Sequence, residues 1–321
     1  MPNPPIKINI NSEVGTLKNV LLHRPGAEVE NMTPKDAQRA LYSDILNLSI
    51  ARDEYKQLEG VLSKVAQVHY VKDLLEKVLD NMMERQSLIG KICISEGTTN
   101  YFDTLMQMPS KELARVLIEG LPSRKDNLTA FLNEDHYALF PLYNFYFTRD
   151  ASVTIGNNSL ICRMANKVRM RESLIMEAIY KGSGVFQCGI INAHNFQPGN
   201  KDIYMEGGDI LIAREDILLI GNGVRTSTQG IDMLVSNLCH CAPEGRRHVI
   251  VQQLPSTPES FIHLDMVFTL LDHNKCMVFE PLILKDNQYQ TVHITIDNGR
   301  VSDIRRVPNL LKVLKELGMD L

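Results

Sequence analysis

Three short stretches of this chain place charged side chains among apolar ones at spacings that could do chemistry. They are Asn144-Phe145-Tyr146-Phe147-Thr148-Arg149-Asp150, Glu206-Gly207-Gly208-Asp209 and His263-Leu264-Asp265. In the third, His263 and Asp265 alternate about Leu264, so on a strand their side chains would share a face. A carboxylate beside an imidazole suits proton transfer near neutral pH. Alone, however, a His-x-Asp is more often a satisfied structural pair. Glu206 and Asp209 bracket two glycines, which permit close backbone approach or unusual dihedrals. The plain alternative is a polar turn before a strand, and the flanks lack the regularly spaced oxygen ligands of a calcium or magnesium loop. Asp150 closes a run containing three aromatics, which puts it at the edge of an apolar pocket. Carboxylates lining such a pocket suit a planar cation, because each can accept two parallel N–H bonds from a guanidinium.

The elements that must carry these residues come in two kinds. From about Thr33 to Leu132 the pattern is chiefly helical. Thr33-Pro34 reads as an N-cap with proline at the first helical position, and Tyr55, Leu58, Leu62 and Val65 recur at helical spacing. Ser110 precedes Leu113, Val116 and Leu117, with Gly120 as a C-terminal stop. A strand over Gly15–Leu22, ended by His23-Arg24-Pro25-Gly26, precedes this stretch, and a β-like break at Val68–Val71 interrupts it.

Beyond Leu139 short apolar strands pair through tight turns: Ser152–Ile155 with Leu160–Cys162, Ile210–Ala213 with Ile217–Ile220, and Met266–Leu271 with Cys276–Phe279. The hairpins start just after Asp150, Asp209 and Asp265, at intervals of 59 and 56 residues. Helical stretches follow at about Glu172–Tyr180, Thr228–Leu238 and Asn309–Leu317. The first two lead into further strands, Val185–Ile191 and His248–Leu254. This is a repeated β-β-α-β unit, and a repeat of that length suggests a closed ring of blades; the alternative is an ordinary α+β domain with hairpins. Acids that open successive units would converge at the centre of such a ring. The last unit stops after its helix, so its blade is expected to be incomplete.

A net charge of −4 and the lack of any Lys/Arg tract argue against a nucleic-acid partner. No apolar run is long enough to span a bilayer, and the proline-broken N-terminus has no signal-like apolar stretch. Six scattered cysteines do not form a disulfide framework, which points to a reducing cytoplasm. Cys239-His240-Cys241 lacks a second ligand pair at zinc-site spacing, and no metal is expected.

With these residues in view, the sequence resembles the arginine deiminases from about Ser12 to its last residue. The resemblance rests on Ser12-Glu13-Val14-Gly15, Leu22-His23-Arg24-Pro25-Gly26, Leu41-Tyr42-Ser43-Asp44-Ile45 and the three clusters above, in that order. It implies an α/β fold, a five-fold ββαβ propeller spanning residues 1–33 and 133–321, with an inserted mainly helical domain at 34–132. It also implies hydrolysis of L-arginine to L-citrulline and ammonia without a cofactor, in arginine catabolism, by a homo-oligomer. Carried over residue by residue, Asp150 and Asp265 would grip the guanidinium. His263 would act as general acid and base, and Glu206 would assist both tasks. Asn144 and Phe147 would line the pocket, and Arg169 and Arg225 would hold the α-carboxylate, although Arg171 lies close to Arg169.

One departure matters. The family's nucleophile is a cysteine near the C-terminus after a glycine- and arginine-rich stretch, and none of Cys93, Cys162, Cys188, Cys239, Cys241 and Cys276 stands in that context. The chain is therefore expected to be cut off before its nucleophile and inactive alone. The missing thiol keeps other readings open: a noncatalytic arginine-binding or interaction protein, a related hydrolase or amidinotransferase acting on another guanidino compound, and a metal-dependent hydrolase using His263 and the acids.

Overall fold

The computed structural model describes residues 4–32, 45–132, 136–193, 203–241 and 244–321. Thr33-Pro34 and Leu41–Asp44, singled out above, lie outside them. The chain has a mixed α/β fold that divides into two compact units: residues 1–6, 17–148 and 166–187, and residues 7–16, 149–165 and 188–321.

The first unit is mainly helical. Strand β1 (Asn19–Leu22) pairs in parallel with β2 (Gln67–Tyr70), the latter being the expected β-like break. Helix α1 (Leu48–Val65) starts at Asn47, whose side chain accepts from Ile50 N at 3.2 Å. It is followed by α2 (Val71–Asp80), α3 (Met82–Glu96), α4 (Ser110–Glu119) and α5 (Met170–Gly182). Gly97 and Gly120 end α3 and α4 at φ 72° and 99°, a backbone region that favours glycine. The apolar rows Leu74-Leu75-Val78-Leu79, Leu88-Ile89-Ile92 and Leu113-Val116-Leu117 are all buried, as helical periodicity requires. Helix α1 buries none of its residues. The units divide the chain differently from the 34–132 limits expected of an inserted domain. Residues 166–187 fall in the first unit because α5 packs on α2 and α3.

The second unit carries the hairpins. Strands β3 (Ser152–Ile155) and β4 (Asn158–Ile161) pair antiparallel, and β4 pairs in parallel with β5 (Gly189–Asn192). The arrangement recurs with β6 (Ile210–Arg214), β7 (Ile217–Asn222) and β8 (Arg246–Gln253), where helix α6 (Thr228–Cys241) connects β7 to β8. The run Ile217-Leu218-Leu219-Ile220 is fully buried, as a parallel strand covered on both faces demands. A separate hairpin joins β9 (Phe268–Asp272) to β10 (Lys275–Val278).

The sequence reading missed the next two strands, β11 (Thr291–Asp297) and β12 (Arg300–Val307). They extend the second sheet to the order β6-β7-β8-β11-β12. Their two-residue loop, Asn298-Gly299, has φ 47° and 74°. Two positive φ angles in an Asn-Gly loop are the signature of a tight hairpin, so the signal was present in the sequence. Helix α7 (Leu310–Glu316) starts at Asn309, whose side chain accepts from Lys312 N at 2.9 Å. It places Leu310, Val313 and Leu314 in one core cluster with Leu219, Ile250, Leu264 and Phe268. No helix among the described residues is long and apolar enough to cross a membrane.

Candidate active site

The β3–β4, β6–β7 and β9–β10 hairpins each open on a charged turn. Asp150 lies in a single helical turn, Thr148–Ala151, immediately before β3. Glu206 is extended and leads into the 3₁₀ turn Gly207–Asp209 before β6. His263 is extended and leads into the 3₁₀ turn Leu264–Met266 before β9. His263 and Asp265 therefore do not alternate along a strand as expected. The chain turns between them, leaving His263 buried and Asp265 exposed.

These turns bring Asp150, Glu206 and His263 together. The ring presents Nε2 to Glu206 Oε2 at 3.0 Å and Nδ1 towards Asp150 Oδ1 at 3.9 Å. On its other side, Glu206 Oε1 accepts from Ala165 N at 3.2 Å and lies 3.5 Å from Arg225 Nη1. Glu206 is completely buried, and a buried carboxylate needs partners of this kind to offset its lost hydration.

The two glycines serve close approach. A Cβ on Gly207 would stand 2.0 Å from Arg149 O, and one on Gly208 would stand 2.7 Å from His263 Nδ1 and 3.1 Å from Asp150 Oδ1. Arg149 fastens the turn from behind. It donates to Gly207 O at 3.2 Å, to Ile210 O at 2.5 Å and to Glu13 Oε1 at 2.7 Å. Glu13 in turn accepts from Ile212 N at 2.9 Å. This network gives the Ser12-Glu13 stretch a structural task that sequence reading alone did not show.

Electrostatics separate the groups. Burial by itself would lower the His263 imidazole, but the bond from Glu206 and the charges of Asp150 and Asp209 outweigh it and lift the group to about 9. Burial raises Asp209 to about 7, against the opposing effects of His263, the Thr226 hydroxyl and Leu264 N–H. Asp265, although solvent reaches it, is also raised, first by desolvation and further by the Asp150 charge, with His263 opposing. Cys162, just past β4, is fully buried. Desolvation, then the negative Glu206 and Asp150, hold its thiol well above the ordinary range. It is the reverse of an activated thiolate. Donor atoms of Asp150, Glu206 and His263 all lie within 4.8 Å of one another, close enough to hold a metal ion.

The remaining expected residues belong to the first unit. Arg169 is buried, and Glu172 accepts from its guanidinium at 2.8 to 3.2 Å, while Nη2 donates to Asn144 O at 3.4 Å. Arg171, the neighbouring candidate, is held by Glu96 at 3.2 Å and by Phe140 O. The buried Asn144 thus sits beside Arg169. Phe147 is 48% exposed and rests on Tyr146 with ring centroids 4.3 Å apart.

Residues 38–319 match the family model described as arginine deiminase. Arginine deiminase 1 of Staphylococcus epidermidis is 30% identical over 97% of this chain and 78% of its own length. The arginine deiminase of Borreliella afzelii is 31% identical over 92% of this chain and 77% of its own length. That of Listeria monocytogenes is 32% identical over 83% and 67%. Among solved structures, the amidinotransferase SxtG from Microseira wollei aligns at 15% identity and a TM-score of 0.48, covering 85% of this chain and 71% of its own. The match across residues 38–319, together with relatives at 30% identity along nearly the whole chain, makes this protein a member of the arginine deiminase family.

Proposed function

We propose that the second unit binds the guanidinium of L-arginine at Asp150, Glu206 and Asp265, and that the family's hydrolysis to L-citrulline and ammonia is laid out around His263. The observation that carries this reading is the clasp of His263 between two buried carboxylates, with a guanidinium, that of Arg225, already 3.5 Å from Glu206. A guanidinium carbon is a poor electrophile because resonance spreads its charge. Carboxylates on its nitrogens orient the group and favour a localised cation that a thiolate can attack. An imidazole held near 9 is protonated at neutral pH, so it can give its proton to the departing ammonia. Once neutral, it can take a proton from the water that cleaves the thioester-like intermediate.

Asn144, Phe147, Arg169 and Arg225 are proposed as substrate-binding residues on the family's pattern. The repeat of β3-β4-β5 and β6-β7-β8 supports repeated blades; a five-fold propeller with a helical insertion at 34–132 is proposed on the family's pattern. All six cysteines are unpaired, which fits a reducing cytoplasm. A homo-oligomer is proposed on the family's pattern.

The thiolate is the missing part. Cys162 is buried and disfavoured as an anion, and the other five cysteines belong to none of the turns that meet at His263. These 321 residues are therefore expected to bind L-arginine without turning it over. Calorimetry with the purified chain should detect arginine binding that Glu206→Gln weakens at least about tenfold, the loss of a charge-assisted hydrogen bond. A citrulline assay should read blank. Arginine binding unaffected by Glu206→Gln would overturn the site assignment, and sustained citrulline release would overturn the missing nucleophile. The three donors within 4.8 Å support a second reading, a metal-dependent hydrolase. It requires citrulline release that a chelator abolishes.

A further inference from the structure

Below the clasp lies a second buried acid that none of the proposed steps uses. Asp209 is completely buried at the end of the Gly207–Asp209 turn. Its Oδ1 accepts from Leu264 N at 2.9 Å, the amide next to His263. Its Oδ2 accepts from the Thr226 hydroxyl at 2.6 Å, and that hydroxyl oxygen accepts from Glu206 N at 3.2 Å. Thr226 is also completely buried. The chain Glu206 N, Thr226 Oγ1, Asp209, Leu264 N therefore ties the backbone of the Glu206 turn to that of the His263 turn. Strand β7 leaves room for it: a Cβ on Gly221 would stand 2.2 Å from Asp209 Oδ1.

We propose that Asp209 and Thr226 are positioning residues for the reaction, a buried relay that fixes the His263 imidazole against the Glu206 carboxylate. The proposal rests on the functional reading above only for what the clasp is used for; the relay itself is a property of the ligand-free fold. Oδ1 of Asp209 holds the amide next to His263, and Oδ2 reaches the Glu206 amide through the Thr226 hydroxyl, so the relay bears on the 3.0 Å separation between His263 and Glu206. Burial raises Asp209 to about 7, and the Thr226 hydroxyl and the Leu264 amide oppose that rise. Its charge also adds to the field on His263.

Nuclear magnetic resonance titration of the His263 ring tests this without any substrate. Thr226→Val removes the hydroxyl without removing a charge, and Thr226→Ser keeps it. The valine variant should lower the His263 midpoint by on the order of one pH unit, as expected when a hydrogen bond to the charged form loosens, and weaken arginine binding about tenfold. The serine variant should restore both. Circular dichroism checks the fold, and if Thr226→Val does not keep the parent spectrum, Thr226→Ala, which also leaves every charge in place, decides on the same readout. A folded variant whose His263 titrates like the parent overturns the relay, even if its melting temperature falls. If the parent chain binds no arginine, the functional reading fails while the titration still decides the relay.

Discussion

Two histidine sites in the second unit have similar depth and opposite character. His263 is 6% exposed between carboxylates and is raised to about 9. His293 is 3% exposed on β11, and its Nε2 lies 2.9 Å from Nδ1 of the half-buried His248 on β8. Both members of that pair are lowered, first by burial. For His293 the neighbouring His248 and Arg305 add to the effect, while Asp303 and Glu316 oppose it. For His248, Arg246 and Arg214 add to it and Asp216 opposes it. Burial is common to the two sites, so the sign is set by what the ring faces. The pair sits in mid-strand, where cross-strand register chooses the neighbours. His263 sits at a turn before a hairpin, where three separate elements can bring acids to one point.

The sharpest way to break the contrast is to remove the acid. Glu206→Gln should drop the His263 midpoint by about 1 to 3 pH units, the usual effect of losing an opposite charge at hydrogen-bond distance. A ring titration showing an unchanged midpoint would mean that Glu206 does not hold it.

A smaller effect concerns stability against pH. A group raised in the fold, as His263 is, contributes stability that is complete below its unfolded value of about 6.5 and is lost as pH rises through about 9. Groups lowered in the fold do the reverse. For His248 and His293, the unfolded chain takes up protons first, so stability is intact above about pH 6.5 and declines as pH falls below it. Urea midpoints measured across pH should therefore decline on both limbs. His293→Gln should flatten the acid limb, and Glu206→Gln the alkaline limb. If either variant flattened the other limb, the two sites would have been assigned the wrong way round.

Much of this was legible in the sequence because periodicity and turn chemistry are local. The helices at 170–182, 228–241 and 310–316 and the three hairpins lie close to where apolar spacing put them. Of the residues that meet, Asp150 was marked by its place before a hairpin, whereas Glu206 and His263 stood out only as members of charged clusters beside Asp209 and Asp265, the acids that the hairpin spacing marked. The extended reading of His263-Leu264-Asp265 failed because alternation cannot distinguish a strand from a 3₁₀ turn over three residues. Strands β11 and β12 were missed although Asn298-Gly299 announced them. The relay and the Arg149–Glu13 tie were not legible: a threonine and an aspartate 17 residues apart, or an arginine and a glutamate 136 apart, carry no spacing signal of their own. Such pairs exist only once separate elements have docked.

Buried carboxylates clasp His263 and hold its proton. The most direct test is the ring titration of His263 in the unmodified chain, followed from pH 5 to beyond pH 10. A midpoint near 9 is the predicted result, whereas a midpoint at or below the ordinary imidazole value of about 6.5 would contradict it.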